Sequence, residues 1–154
     1  MAMKRITSLL LAALLIGMIS CKKDDTNTQS EQLAEDVSLI EKYLTDNNLT
    51  AQKKNSGLYY IIEKAGNGVH PNIGSTVTVQ YKGYLLDGTE FDSGTATFPL
   101  SSVVTGWQEG IPLFKKGGRG QLFIPSYMGY GTSGSSSIPA NSVIIFDIYL
   151  ISFE

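Results

Sequence analysis

Val103-Val104-Thr105-Gly106-Trp107-Gln108-Glu109-Gly110 carries the single tryptophan of the chain. Two branched apolar residues lead into a glycine, and the Trp then opens a short helix that closes at the next glycine. A Trp buries about 150–250 Å² of mostly apolar surface, so Trp107 is expected to be the largest single block of the core. The sequence on both sides reads as β-structure: Thr76–Leu86 before it, Gly120–Ile124 and Val143–Ile151 after it. A sheet must bury an apolar face, and the helix opened by Trp107 is the element the pattern offers to cover it.

Working outward, Leu58-Tyr59-Tyr60-Ile61-Ile62 reads as a strand and Gly66-Asn67-Gly68 as a turn. Val77, Val79 and Tyr81 alternate with polar residues and share one face of the next strand. Asp87-Gly88 is a strong hairpin signal, with Phe91-Asp92-Ser93-Gly94 continuing the return and Thr97-Phe98-Pro99-Leu100 a further short extended piece. Lys115-Lys116-Gly117-Gly118-Arg119-Gly120 is glycine-rich and basic. A phosphate cradle needs such a loop to open a helix; here a strand follows, so the stretch reads as a turn. Met128-Gly129-Tyr130-Gly131 starts a Ser/Gly loop closed by Ile138-Pro139. Only Asp147 interrupts the last strand, so both of its faces are expected to be covered.

The N-terminal end is organised differently. Residues 1–20 place Lys4 and Arg5 before an apolar run from Ile6 to Ile19, too short to cross a bilayer comfortably, and read as a signal peptide. Ser20-Cys21 ends it in a way that resembles the bacterial lipobox, which makes Cys21 the lipidation site of a membrane-anchored protein. Residues 21–29 then read as a polar, solvated tether. The segment 30–52 is expected to hold a helix: Thr28 and Glu31 fit a capping box, Leu33, Val37, Ile40 and Leu44 form one stripe, and Asp46-Asn47-Asn48 stops it. That stripe would either pack on the domain or pair with a second copy as a homodimer. Because the tether and the capping box set the helix apart, residues 52–154 are expected to fold alone.

Composition narrows the chemistry. The net charge is −2, and loss of residues 1–20 leaves 10 basic against 14 acidic residues, with no basic stripe for nucleic acid. One Cys and one His allow neither an internal disulfide nor a Cys/His metal cluster. No Gly-x-Ser-x-Gly occurs, Cys21 lies in the anchor and His70 sits beside Pro71 in a loop. What remains is a set of aromatics near strand ends and loops: Tyr81, Phe91, Phe98, Trp107, Tyr130 and Phe146. With Val103, Val104 and Ile138 they would line an apolar pocket, which suits chemistry that needs no proton transfer.

Val79-Gln-Tyr81-Lys-Gly-Tyr-Leu-Leu-Asp-Gly-Thr-Glu-Phe91-Asp92-Ser, Gly106-Trp107-Gln-Glu-Gly110, Gly129-Tyr130-Gly131, Ile138-Pro139 and Phe146-Asp147 resemble, in order and spacing, the successive motifs of FKBP-type peptidyl-prolyl cis-trans isomerases. The resemblance covers residues 56–154, and the tethered helix before it is similar to what membrane-anchored bacterial members carry. It implies an α+β fold with an antiparallel sheet of about five strands wrapped around one short α-helix. It implies a pocket with Trp107 as floor and Tyr81, Phe91, Phe98, Val103, Val104, Ile138 and Phe146 as walls. The Val104 N–H and the Tyr130 hydroxyl would bond the ligand's carbonyls, and Asp92 would line the polar edge. The Arg that members often place after the Phe-Asp pair is absent, so Asp92 is expected to face no cation.

The function this implies is cofactor-free and metal-free isomerisation of X-Pro bonds in exported proteins of the bacterial cell envelope. The clients would be proline-containing polypeptides. The anchor would hold the protein on a membrane, with the outer membrane, at its periplasmic face or the cell surface, as the expected place. A non-catalytic binding module of the same fold is the alternative, and a dimerising spacer on the surface is a third.

Overall fold

The computed structural model describes residues 25–154. The expected signal peptide at 1–20, the expected lipidation site Cys21 and the first part of the expected tether lie outside the described residues.

The first element is α1, Asp25–Asp46, of 22 residues. It begins ahead of the Thr28–Glu31 box and so takes in residues 25–29, which the sequence suggested as tether. A capping box is a local signal and does not stop a helix from extending through Asp25, Thr26 and Asn27, residue types that are well tolerated in a first turn. The other end stops where the sequence suggests. Asn48 takes φ 55°, and the Leu49 N–H returns to the Leu44 carbonyl at 2.8 Å, a left-handed closure that suits Asn.

Six strands follow: β1 Gln52–Lys53, β2 Tyr59–Lys64, β3 Thr76–Leu85, β4 Glu90–Pro99, β5 Arg119–Ile124 and β6 Ile144–Phe153. They form one sheet in the order β1-β2-β5-β6-β3-β4, with every pairing antiparallel. The sixth strand beyond the expected five is the two-residue edge β1. The two extended pieces read after Asp87-Gly88 are one strand, because Gly94 pairs with Tyr81 and carries the ladder across the gap between them. At the hairpin, Gly88 takes φ 87° and the Asp87 carboxylate accepts the Thr89 N–H at 2.9 Å. β4 is an outer edge, polar along much of its length and closed by Pro99, which limits pairing with another chain.

Side-chain alternation assigns the two faces. Val77, Val79, Leu122, Ile124, Phe146 and Ile148 point to the face covered by α2, Thr105–Gly110, with Trp107. α2 lies close because of its glycines: a Cβ at Gly106 would stand 2.4 Å from Ile124 Cγ2, and one at Gly110 2.5 Å from Leu122 Cδ1. Glycine costs about 1 kcal/mol in a helix interior, less than the overpacking an alanine would impose here.

The opposite face is covered by α1. Ile40 and Leu44 pack with Tyr59, Phe123, Val143 and Ile145 in a second apolar cluster. The Glu41 carboxylate accepts the Tyr59 hydroxyl and pairs with Lys53 at 3.3 Å. The helix therefore packs on the sheet, and its apolar stripe is used within the chain.

β6 is covered on that second face only as far as Ile145. Beyond it lies an open polar depression of about 740 Å³, lined by Glu63, Lys82, Arg119, Gln121, Asp147 and Tyr149 among others. The expectation that both faces of the last strand are covered holds only for its first residues. Groups in the depression satisfy one another: Asp147 accepts from Tyr84 Oη at 3.0 Å and from Gln121 Nε2 at 2.9 Å. Burial and then the Asp147 charge push the Tyr84 hydroxyl well above its ordinary pKa. No helix among the described residues is long and apolar enough to cross a membrane.

Candidate active site

A cavity of about 330 Å³ opens where β3, β4, α2 and the loop after β5 meet. Tyr81 comes from β3, Asp92, Ala96 and Phe98 from β4, and Phe146 from β6. Ser102, Val103 and Val104 come from the link into α2, Trp107 from α2, and Tyr130 from the loop. A volume of this order accommodates a small ring and its flanking peptide groups.

Trp107 is 5% exposed and sits in an aromatic box. Its ring centroid lies 4.9 Å from Phe146 at 80°, 5.2 Å from Tyr81 at 79° and 5.3 Å from Phe98 at 45°. The edge-to-face contacts with Phe146 and Tyr81 suit the ring quadrupoles, and with the tilted Phe98 they fix the rings against one another. The indole N–H is buried without a hydrogen-bond acceptor among the described residues, a cost that those ring contacts must offset.

Phe91 and Ile138 are placed behind the wall. Phe91 meets Phe146 edge-on at 5.5 Å and 90°, and Ile138 is buried in the main core. Gly83 makes the Phe91 packing feasible, since a Cβ there would lie 2.6 Å from Phe91 and 2.7 Å from Phe146. Ala96 and Ser102 line the cavity in their stead. Neither has a side chain large enough to stand out in the sequence; only the pairing of β4 with β3 brings Ala96 opposite Val79.

Val104 stands immediately before α2 with φ −57° and ψ 148°, so its N–H is outside the helical ladder. The segment is held by Gln108, whose Nε2 donates to the Val103 carbonyl at 2.8 Å. Gln108 was not among the residues singled out from the sequence, although a polar residue on the first turn of a helix can return to the backbone that leads into it.

At the polar edge, Tyr81 Oη donates to Asp92 Oδ2 at 2.9 Å. The hydroxyl thus stands where a cation was expected to be missing. Burial first, then Asp92, pushes the Tyr81 pKa up, and burial followed by the Asp92 charge does the same to Tyr130. A raised tyrosine pKa keeps the proton on to higher pH. Both hydroxyls therefore remain donors until above their ordinary value of about 10. Activity that depends on them is expected to be flat from about pH 6 to 8. Asp92→Asn retains an acceptor oxygen for Tyr81 and should hold kcat/KM within about threefold. His70 is exposed in its loop, and His70→Ala should match the parent. A bell-shaped profile centred in that window would contradict this reading.

Comparison with known proteins follows the same outline. Residues 68–151 match the family described as FKBP-type peptidyl-prolyl cis-trans isomerase. The chain is 46% identical over 104 residues to the FKBP-type peptidyl-prolyl cis-trans isomerase FkpA of Aeromonas hydrophila, covering 64% of this chain and 39% of that one. It is 43% identical over 101 residues to FkpA of Escherichia coli K12, covering 62% and 37%. The chain thus spans about two fifths of the length of these curated relatives. The crystal structure of Escherichia coli FkpA superposes with a TM-score of 0.71 at 33% identity, over 84% of this chain and 64% of that one. A Pseudomonas syringae peptidyl-prolyl cis-trans isomerase gives a TM-score of 0.71 at 26% identity, over 81% and 95%.

Proposed function

This chain belongs to the FKBP-type peptidyl-prolyl cis-trans isomerase family, and from that premise we propose that it catalyses the cis-trans isomerisation of X-Pro bonds in polypeptides. The observation that carries the reading is the cavity itself: an aromatic box floored by Trp107 with Tyr130 in its lining. An X-Pro amide exchanges slowly because twisting it breaks resonance, at a barrier of about 18–20 kcal/mol. The twisted amide has lost conjugation and carries a less polarised carbonyl than the planar one. Moving it from water into an apolar box therefore costs less than moving the planar form, and that difference lowers the barrier.

The residues take their roles from this. Trp107, Phe98 and Phe146 enclose the pyrrolidine ring, and Tyr81 shapes the polar side with Asp92. The Val104 N–H and the Tyr130 hydroxyl bond the flanking carbonyls and hold the chain while one peptide plane turns. Each 1.36 kcal/mol of preferential stabilisation is tenfold in rate, so the site needs no nucleophile and no proton transfer. A protease-coupled assay with Leu-Pro and Phe-Pro peptides tests the activity: acceleration above the spontaneous rate is expected. A folded protein that binds the peptide without acceleration would leave a binding module instead.

The clients are proline-containing polypeptides of the cell envelope, to which lipidation at Cys21 would anchor the protein. That placement rests on the apolar run 6–19 and on Ser20-Cys21-Lys22. Cys21→Ala should abolish incorporation of an alkyne fatty acid in growing cells and leave unprocessed precursor. Equal labelling of variant and parent would contradict the anchor.

A further inference from the structure

α1 carries one polar residue inside its buried stripe. Asp36 is completely buried, flanked on the same face by Leu33, Val37 and Ile40. Among the described residues no cation pairs with it; its partners are hydrogen-bond donors. Oδ2 accepts the Ser126 backbone N–H at 2.8 Å and the Ser126 hydroxyl at 2.7 Å. Oδ1 accepts Gln32 Nε2 at 2.9 Å.

A buried carboxyl group held only by neutral donors is a costly way to fasten a helix, since an aliphatic residue at that position would pack without desolvating an acid. What Asp36 holds therefore bears on its role. Ser126 opens the 3-10 turn Ser126–Met128 that leads to Tyr130. Its carbonyl receives the N–H groups of Gly129 at 3.0 Å and Gly131 at 2.8 Å, the two residues on either side of Tyr130. Gly131 takes φ 57° and Gly129 lies at φ −110°, ψ −110°. The backbone beside Tyr130 is thus intrinsically permissive, and its direction depends on outside anchors. Met128, buried in the main core, is one of these. The Gly134 N–H on the Tyr130 carbonyl, at 3.1 Å, is another. The Asn141 N–H on the Gly131 carbonyl, at 2.8 Å, and the Tyr127 hydroxyl on the Ser56 carbonyl, at 2.7 Å, hold the segment further on and before it. Ser126 holds its start, and Asp36 is what grips Ser126.

We propose that Asp36 is a positioning residue for Tyr130: through Ser126 it sets the turn that presents the Tyr130 hydroxyl to the cavity, so α1 is a working part of the proline site. This rests on the isomerase reading above, and the test has one arm that does not need activity. Asp36→Ala removes the grip. Asp36→Asn keeps an oxygen for Ser126, while Gln32 can turn its amide to accept from the new NH₂.

In the full chain, amide hydrogen exchange should show lost protection at Ser126, Gly129 and Gly131 in Asp36→Ala, with amides of β5 and β6 unchanged. Asp36→Asn should restore most of it. In the assay, Tyr130→Phe is expected to lower kcat/KM by up to about tenfold in the parent and by less than twofold in the Asp36→Ala background. Ser126→Ala removes one of the two bonds and should fall between parent and Asp36→Ala. It also serves as the test variant should Asp36→Ala fail to fold. Uniform loss of protection across the sheet, or the same Tyr130→Phe factor in both backgrounds, would overturn the proposal. If the parent itself shows no catalysis, the isomerase reading falls while the exchange arm still decides whether Asp36 positions the turn.

Discussion

A fragment of residues 52–154, which the sequence alone suggests would fold by itself, is instead expected to lose most of the stability of the full chain, because α1 covers one face of the sheet. Without α1 the side chains of Tyr59, Phe123, Val143 and Ile145 are uncovered, and the burial of Ile40 and Leu44 is lost with them. Full burial of such a side chain is worth about 1.5–3 kcal/mol. Even with the sheet side of the cluster only partly exposed, the loss is on the order of 5–10 kcal/mol. That is comparable to the entire stability of a typical domain, about 5–15 kcal/mol. Thermal unfolding followed by circular dichroism should show no cooperative transition, or one shifted down by tens of degrees. An unchanged Tm would mean that α1 is a detachable arm.

Trp107→Ala is expected to have the second largest effect. The indole fills the space between Tyr81, Phe98 and Phe146, and removing a buried ring of this size costs about 3–5 kcal/mol. The same change opens the floor of the cavity to water, which removes the environment that favours the twisted amide. On protein shown to be folded, kcat/KM should fall by at least about tenfold, or 1.36 kcal/mol. Trp107→Phe keeps an apolar floor and part of the packing, so its loss should be smaller in both readouts. A folded Trp107→Ala protein with parental kcat/KM would remove Trp107 from the site.

Much of this was legible in the residues themselves. Alternation gave β3 nearly to the residue, a near-continuous apolar run gave β6, Asp87-Gly88 gave the hairpin, and the Trp107 stretch gave α2, because each of these signals is local. Tyr81, Asp92, Phe98, Val103, Val104, Trp107, Tyr130 and Phe146 do come together at one cavity. What escaped depends on pairings distant in sequence. Ala96 and Ser102 reach the cavity through the β3–β4 register and the turn after β4. Phe91 stands behind Phe146 because Gly83 leaves room for it there.

The helix shows the same limit more sharply. Its stripe was readable, but the surface that receives it is built from β2, β5, β6 and the turn before β6, far along the chain. Periodicity states which face of a helix is apolar and not what covers it. Asp36 lies inside that stripe with nothing in the local sequence to mark its role, since a partner 90 positions away has no local signature.

Exchange NMR on a Leu-Pro peptide with substoichiometric full chain reads directly whether the Trp107-floored cavity speeds rotation about an X-Pro bond. Exchange cross-peaks between the cis and trans resonances are expected on the sub-second scale, where the free peptide takes tens of seconds or longer, and they should be lost in Trp107→Ala. Peptide resonances that shift on binding while cis and trans remain unconnected would contradict it.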